Sequence, residues 1–151
     1  QLRGQAPRPL KPGEDTGASL VAGTGEVQGN RVPVWSLHPP FKNDRRGAVV
    51  FDLPAKLSPD RSFSFATRSQ TGKGDGVLLT IALKPANASD DEFKVFGQGT
   101  IASQEWKVTR GRVPGKDSDV VLRFTFDCGP ANNTGFDNVE IADIDLLKER
   151  R

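Results

Sequence analysis

The sequence holds one cysteine, one histidine and no tyrosine in 151 residues. Cys128 alone excludes an internal disulfide and a multi-cysteine metal centre. With His38 the only imidazole, the two together fall short of a tetrahedral zinc set. No apolar run approaches the roughly 20 residues of a membrane helix, so no membrane insertion is expected. Neither sign of charge dominates: 21 basic against 19 acidic side chains leave a formal +2. That is far from the basic footprint of a nucleic-acid binder. Without tyrosine, a lyase built on strands lacks one of its usual bases. No nucleophile elbow, phosphate loop or metal motif is present, and no pair of acids sits in a recognisable catalytic setting. The chain is expected not to be an enzyme. Gln1 opens a polar, basic stretch that does not read as a signal peptide.

What is present describes a globular domain: 35% hydrophobic and 26% charged residues. A chain of this length buries roughly two-thirds of its unfolded surface without staples. Residues 1–16, with Pro7, Pro9 and Pro12 among Arg, Lys and Gly, read as a Pro-rich linker or disordered N-terminus, a tether to neighbouring domains. Residues 17–151 read as a single domain. Its apolar residues keep returning at every second position: Val49, Phe51 and Leu53; Phe63 and Phe65; Val77, Leu79, Ile81 and Leu83; Phe93 and Val95; Trp106 and Val108; Val120, Leu122, Phe124 and Phe126. Such alternation sends one row of a strand into a core and the other towards solvent or a second layer. Turn formers separate the runs, at Gly72–Gly76, Gly97–Gly99, Pro114–Asp117 and Gly129–Pro130. The pattern predicts an all-β fold, an antiparallel β-sandwich. Trp106, in phase with Val108, is expected in the core. Near the C-terminus Val139 and Ile141 share one phase and Ile144 and Leu146 the other. A bulge near Ala142–Asp143 accounts for the shift, and a short helix over Val139–Arg150 is the competing reading.

If successive strands are antiparallel, alternate connections share an end. That parity gathers loops 39–46, 69–76, 97–104 and 128–135 at one end, called here end A. Loop clusters on a sandwich are where function is usually carried. End A then collects Lys42, Asp44, Arg45, Arg46, Arg68, Lys73 and Asp75, a mainly basic rim. Asn132, Asn133, Phe136 and Asp137 join them. Amides, carboxylates and an aromatic ring suit sugar hydroxyls, although Gly-Pro-Asn-Asn is also ordinary turn chemistry.

His38-Pro39-Pro40-Phe41, Gly74-Asp75-Gly76-Val77, an isolated Trp106 opening a strand, and the run Gly129 to Asp137 occur in this order. The set resembles the galactose-binding-like jelly rolls, in particular the carbohydrate-binding modules appended to bacterial glycoside hydrolases and surface proteins. The resemblance spans roughly residues 30 to 147. Related modules often carry Trp or Tyr where this chain has Phe41 and Phe136. It implies a non-catalytic, carbohydrate-binding accessory module that is secreted, periplasmic or at the cell surface, using end-A loops or one concave sheet face. Its partners would be a polysaccharide or oligosaccharide and tethered neighbouring domains. The resemblance also implies a structural calcium ion, for which Asp137, Glu140 and Asp143 are the candidates. Trp35 is either a sugar platform or a cap on the sandwich edge. His38 is either a ligand contact or a structural hydrogen-bonding group, and Cys128 is expected to be a small buried residue. The alternative to a glycan binder is a structural or protein-interaction sandwich with no glycan ligand.

Overall fold

A computed structural model describes residues 8, 15–42, 47–128, 135 and 137–145. Nine strands follow one another: β1 (Ser19–Val27), β2 (Asn30–His38), β3 (Ala48–Lys56), β4 (Ser62–Ser69), β5 (Val77–Pro85), β6 (Lys94–Ile101), β7 (Lys107–Arg112), β8 (Asp119–Asp127) and β9 (Val139–Asp145). They form two sheets, ordered β1-β2-β9-β4-β7 and β3-β8-β5-β6. Every pairing is antiparallel. The expected sandwich is therefore what forms.

The core lies between the sheets, where the alternating rows meet. Phe124 and Phe126 of β8 are 1% and 0% exposed, and Phe51 stacks on Phe124 with centroids 5.0 Å apart. Phe65 of β4 reaches Phe124 from the facing sheet, edge to face at 6.0 Å. Burying each phenyl group contributes about 2–3 kcal/mol. Cys128 is fully buried, as expected.

The first hairpin is an addition to the expected strands. Gln28 and Gly29, both at positive φ (50° and 78°), make the two-residue turn that joins β1 to β2. At the C-terminus the strand with a bulge forms, not the helix. Ser64 pairs with Asp145 and Ala66 with Ala142, so two residues of β9 face one of β4, and Asp143 takes φ 52°. Phe93 and Val95 are a correction. A register shift between Ile81 and Ala82 puts Phe96, not Val95, on the inner side, and Val95 is 62% exposed. Phe93 lies just before β6, on the outer side beneath Arg123.

The described ends of β2, β4, β6 and β8 lie at end A as the parity predicts, but the turn expected at Gly97–Gly99 is a correction: these residues lie inside β6, which runs on to Ile101. Ser69 N–H donates to Ser103 O at 2.7 Å and Gln70 N–H to Asn138 O at 2.8 Å, stitching three of its loops together. At the far end Arg61 is 7% exposed. Its guanidinium donates to the carbonyls of Val113 (3.0 Å), Pro114 (2.5 Å) and Asp117, which fixes the β7–β8 connection.

Candidate functional site

Opposed residues of an antiparallel pair share a face. On the five-stranded sheet, Val34 lies opposite Ala142 and Ala66 opposite both Ala142 and Val108, so this row points away from the sandwich. Yet Val34, Ala66 and Ala142 are only 4%, 2% and 2% exposed. Gly23 and Gly25 of β1 stand opposite Val34 and Val32, and a Cβ on Gly25 would lie 2.8 Å from Val34 Cγ2, so Val34 takes the room that the missing side chain leaves. This outer face, called here the trough, carries an apolar cluster of Val27, Val34, Ala66 and Ala142, against which Val32, Val108 and Trp106 pack.

Trp106 is a correction. It is in phase with Val108 as expected, but that row faces the trough and not the main core. The inner row of β7 is Lys107, Thr109 and Gly111, which is why the apolar pair turns outward. The indole is half-buried, and the Arg68 guanidinium lies 4.6 Å from its ring centroid.

A polar network borders the ring. Arg68 Nε donates to Glu140 Oε2 at 2.5 Å. Gln70 Nε2 donates to Glu140 Oε1 at 3.0 Å and to Ser36 Oγ at 3.2 Å, and Ser36 Oγ donates to Glu140 Oε1 at 3.2 Å. Burial alone would raise the Glu140 pKa. The bonds from Arg68, Gln70 and Ser36, with the Arg68 charge, hold it below the usual carboxylate range. Glu140 therefore stays charged and paired with Arg68. The arrangement offers an aromatic surface, fixed hydrogen-bonding groups and an apolar floor.

Of the expected ligand-binding residues that are described, only Arg68 is in this trough, and it points onto the sheet face, not to the end-A rim. Trp35 faces inward, edge to face on Phe51 at 5.2 Å, and lines a pocket with Pro33, Ile141 and Ile144. His38 is 8% exposed, with Nδ1 2.6 Å from Pro39 O, a structural bond. Phe41, 41% exposed, packs against the His38 ring at end A with centroids 4.6 Å apart. Lys73 is exposed on the β4–β5 loop, and Asp75 is partly buried beside Asp137. Arg45, Arg46, Asn133 and Phe136 lie outside the described residues, as do Asp44, Asn132 and most of 1–16. Ser36 and Gln70 were not anticipated. The only signal in the sequence was their place on strand or loop positions that share a face with Arg68.

The expected metal ligands do not converge. Glu140 is engaged in the trough, Asp143 is exposed at the β9 bulge, and Asp137 is buried at end A. Asp137 is 1% exposed and neither carboxylate oxygen has a hydrogen-bond partner. Burial and the nearby Asp75 charge raise its pKa to about 7. Gly74, at φ 86°, allows the close approach: a Cβ there would be 2.9 Å from Gly135 O and 3.5 Å from Asp137 Oδ1. Carboxylate and carbonyl oxygens gathered this way are the donors a hard cation takes. Among the described residues, no three His, Cys, Asp or Glu side chains group as a metal site. Nor is any helix among them long and apolar enough to cross a membrane.

No family model matches the sequence, and no curated protein matches it. Solved structures do. The family 11 carbohydrate-binding module from Clostridium thermocellum, in complex with a β-1,3-1,4-mixed-linked tetrasaccharide, is similar at 19% identity and TM-score 0.50, over 85% of this chain and 82% of that one. This chain has the jelly-roll fold of that module. The family 11 module of a cellulosomal cellulase of the same organism aligns at 18% identity and TM-score 0.49, over 85% and 81% of the two chains. A CBM4 structure aligns at 13% and 0.43, over 87% and 77%.

Proposed function

We propose that this jelly roll is a non-catalytic carbohydrate-binding module that holds a glycan in the trough of its five-stranded sheet. The observation that carries the reading is Trp106 beside the prepositioned Arg68–Glu140–Gln70–Ser36 network on an apolar floor. A sugar ring stacks on the indole, and the network fixes its hydroxyls, the division of labour usual in such sites. Because Arg68 and Glu140 offset each other, a neutral polysaccharide or oligosaccharide fits better than an acidic one. In this reading the module is an accessory part of a larger secreted, periplasmic or cell-surface protein, tethered through the Pro-rich N-terminal stretch. A structural calcium ion held by Asp137 and the Gly135 carbonyl, with Asp75, belongs to the same proposal. It would replace Glu140 and Asp143 with groups that the fold brings close.

The test is a glycan array of the purified chain, with and without chelator, across neutral and acidic polysaccharides. A neutral hit that Trp106→Ala abolishes supports the trough. A hit that survives this change and fails in a Lys73→Ala, Arg45→Ala, Arg46→Ala triple variant moves the site to end A. Silence from folded protein favours the protein-interaction reading, for which Leu20 and Val21, 40% and 61% exposed on the edge strand β1, are the supporting observation.

A further inference from the structure

β6 and β7 are the outermost strands of their sheets on the same side of the sandwich, and neither has a partner beyond it among the described residues. Between them the edge stands open as a cleft of about 500 Å³, within the roughly 300–1,000 Å³ of small-molecule sites. Phe63, Phe65, Leu79 and Ile81 form its apolar base. The register explains why it is open. Gly99 lies opposite Leu79, Gly97 opposite Ile81, and Gly111 opposite Phe63, so inner positions that would close the edge carry no side chain. A Cβ on Gly99 would meet no atom within 4 Å, and one on Gly97 would meet Ile81 only at 3.7 Å.

Lys107, Arg110 and Arg112 of β7 border it and no acidic residue does, and of the three Lys107 is on the inner row, Arg110 and Arg112 alternating outward with Thr109 and Gly111. None of the three forms an ion pair with a described residue. Lys107 belongs to the inner row, opposite Thr67, at the end-A mouth. The cleft follows β6 from Phe96 to Ile101, a span of roughly 20 Å at ~3.3 Å per residue. An apolar base of that length with a cation at one mouth suits an extended hydrocarbon chain that ends in an anionic head.

We propose that the β6–β7 cleft binds a slender amphiphile, a medium-chain fatty carboxylate, with its apolar tail over Phe63 and Phe65 and its carboxylate at Lys107. The site is separate from the glycan trough and does not depend on it. Titration calorimetry of the full chain with decanoate, below its micelle concentration, tests it. Saturable one-to-one binding is expected. It should weaken about tenfold in Lys107→Gln, which loses a charge-assisted contact, and vanish in Gly99→Leu, whose side chain occupies the slot. Decyltrimethylammonium, of equal length and opposite charge, is expected not to bind. No saturable binding of decanoate, or equal binding of the cationic probe, would overturn the proposal. So would undiminished binding in both variants. Binding of an acidic extended hexapeptide in place of decanoate would overturn it as well. Lys107→Gln alters only an exposed side chain, so its result stands even if Gly99→Leu does not fold.

Discussion

The two outer faces of the sandwich carry the same small assembly, an arginine laid on an aromatic ring and bonded to a carboxylate. On the four-stranded sheet, Arg123 lies 3.9 Å over Phe93 and makes two bonds to Asp52 (2.8 and 2.7 Å) and one to Asp90 (3.2 Å). Lys84 completes the cluster, 2.9 Å from Asp90 and 2.7 Å from Ala88 O. These contacts tie β3, β5 and β8 to the segment before β6, and the ring is covered by two cations. On the five-stranded sheet, Arg68, Trp106 and Glu140 are bordered by Gln70 and Ser36 in a trough. Residue types do not separate a rivet from a site. What separates them is exposure: the Arg68 side chain is 37% exposed and the Arg123 side chain 16%.

The largest effect expected from breaking this contrast is in Trp106→Ala. Loss of the stacking ring should weaken glycan binding by about 2–3 kcal/mol, roughly 30- to 160-fold, with little change in thermal midpoint. Titration calorimetry beside a melting curve reads both. Arg123→Met should do the reverse, lowering stability by about 1–2 kcal/mol in urea unfolding while leaving affinity intact. Equal damage to binding by the two variants would erase the distinction between the faces.

Acid sharpens the comparison. Hydrogen bonds from Lys84 and Arg123 hold Asp90 below the usual carboxylate range, and the trough network does the same for Glu140. Neither face should change between about pH 4 and 7. Asp137 titrates there instead, because its folded pKa is raised to about 7. In that window the folded chain keeps a proton that the unfolded chain gives up. Cation-free protein should therefore lose stability as pH rises from about 4 to 7 and level off above. Asp137→Asn should remove the slope, and calcium should restore stability at the alkaline side. Chemical unfolding across pH, with and without chelator, checks all three. The smallest effect is expected in Glu140→Gln. It keeps an acceptor but loses an ion pair worth about 0.5–1 kcal/mol, so glycan affinity should fall by only about two- to fivefold.

Much of the sandwich was legible because a strand with one buried face alternates. Val77 to Leu83 and Val120 to Phe126 show it without interruption. The β1–β2 hairpin was not legible. Gly23 and Gly25 blank one row of β1, and β2 is apolar on both sides, with Val32 and Val34 outward and Trp35 and Leu37 inward. A period of two vanishes when both faces are apolar. The bulge at Asp143 was readable from the phase change it forces. The bulge at Phe96 was not, since a single misplaced aromatic leaves no run to compare. The trough was the least legible part. Arg68 and Glu140 were both noticed, one as a loop-end cation and the other as a metal ligand. Their true relation depends on the β4–β9 register, across 72 residues of chain. Trp106 looked like core because its phase with Val108 says which residues share a face, not which way that face points.

The direction of the first and last strands of the chain has a mechanical consequence. β1 begins opposite the end of β2 at end A, while β9 runs from end A towards the far end and finishes opposite the start of β4. Tension applied through flanking segments would pull β1 and β9 in opposite senses along β2, loading those ladders in shear. β1 is held to β2 by nine residue pairs and β9 to β2 by four, so the shorter seam yields first. Ser36 and Glu140 face each other across that seam. A module stretched between an anchored surface and a moving one would therefore feel the pull in the ladder that shapes its trough.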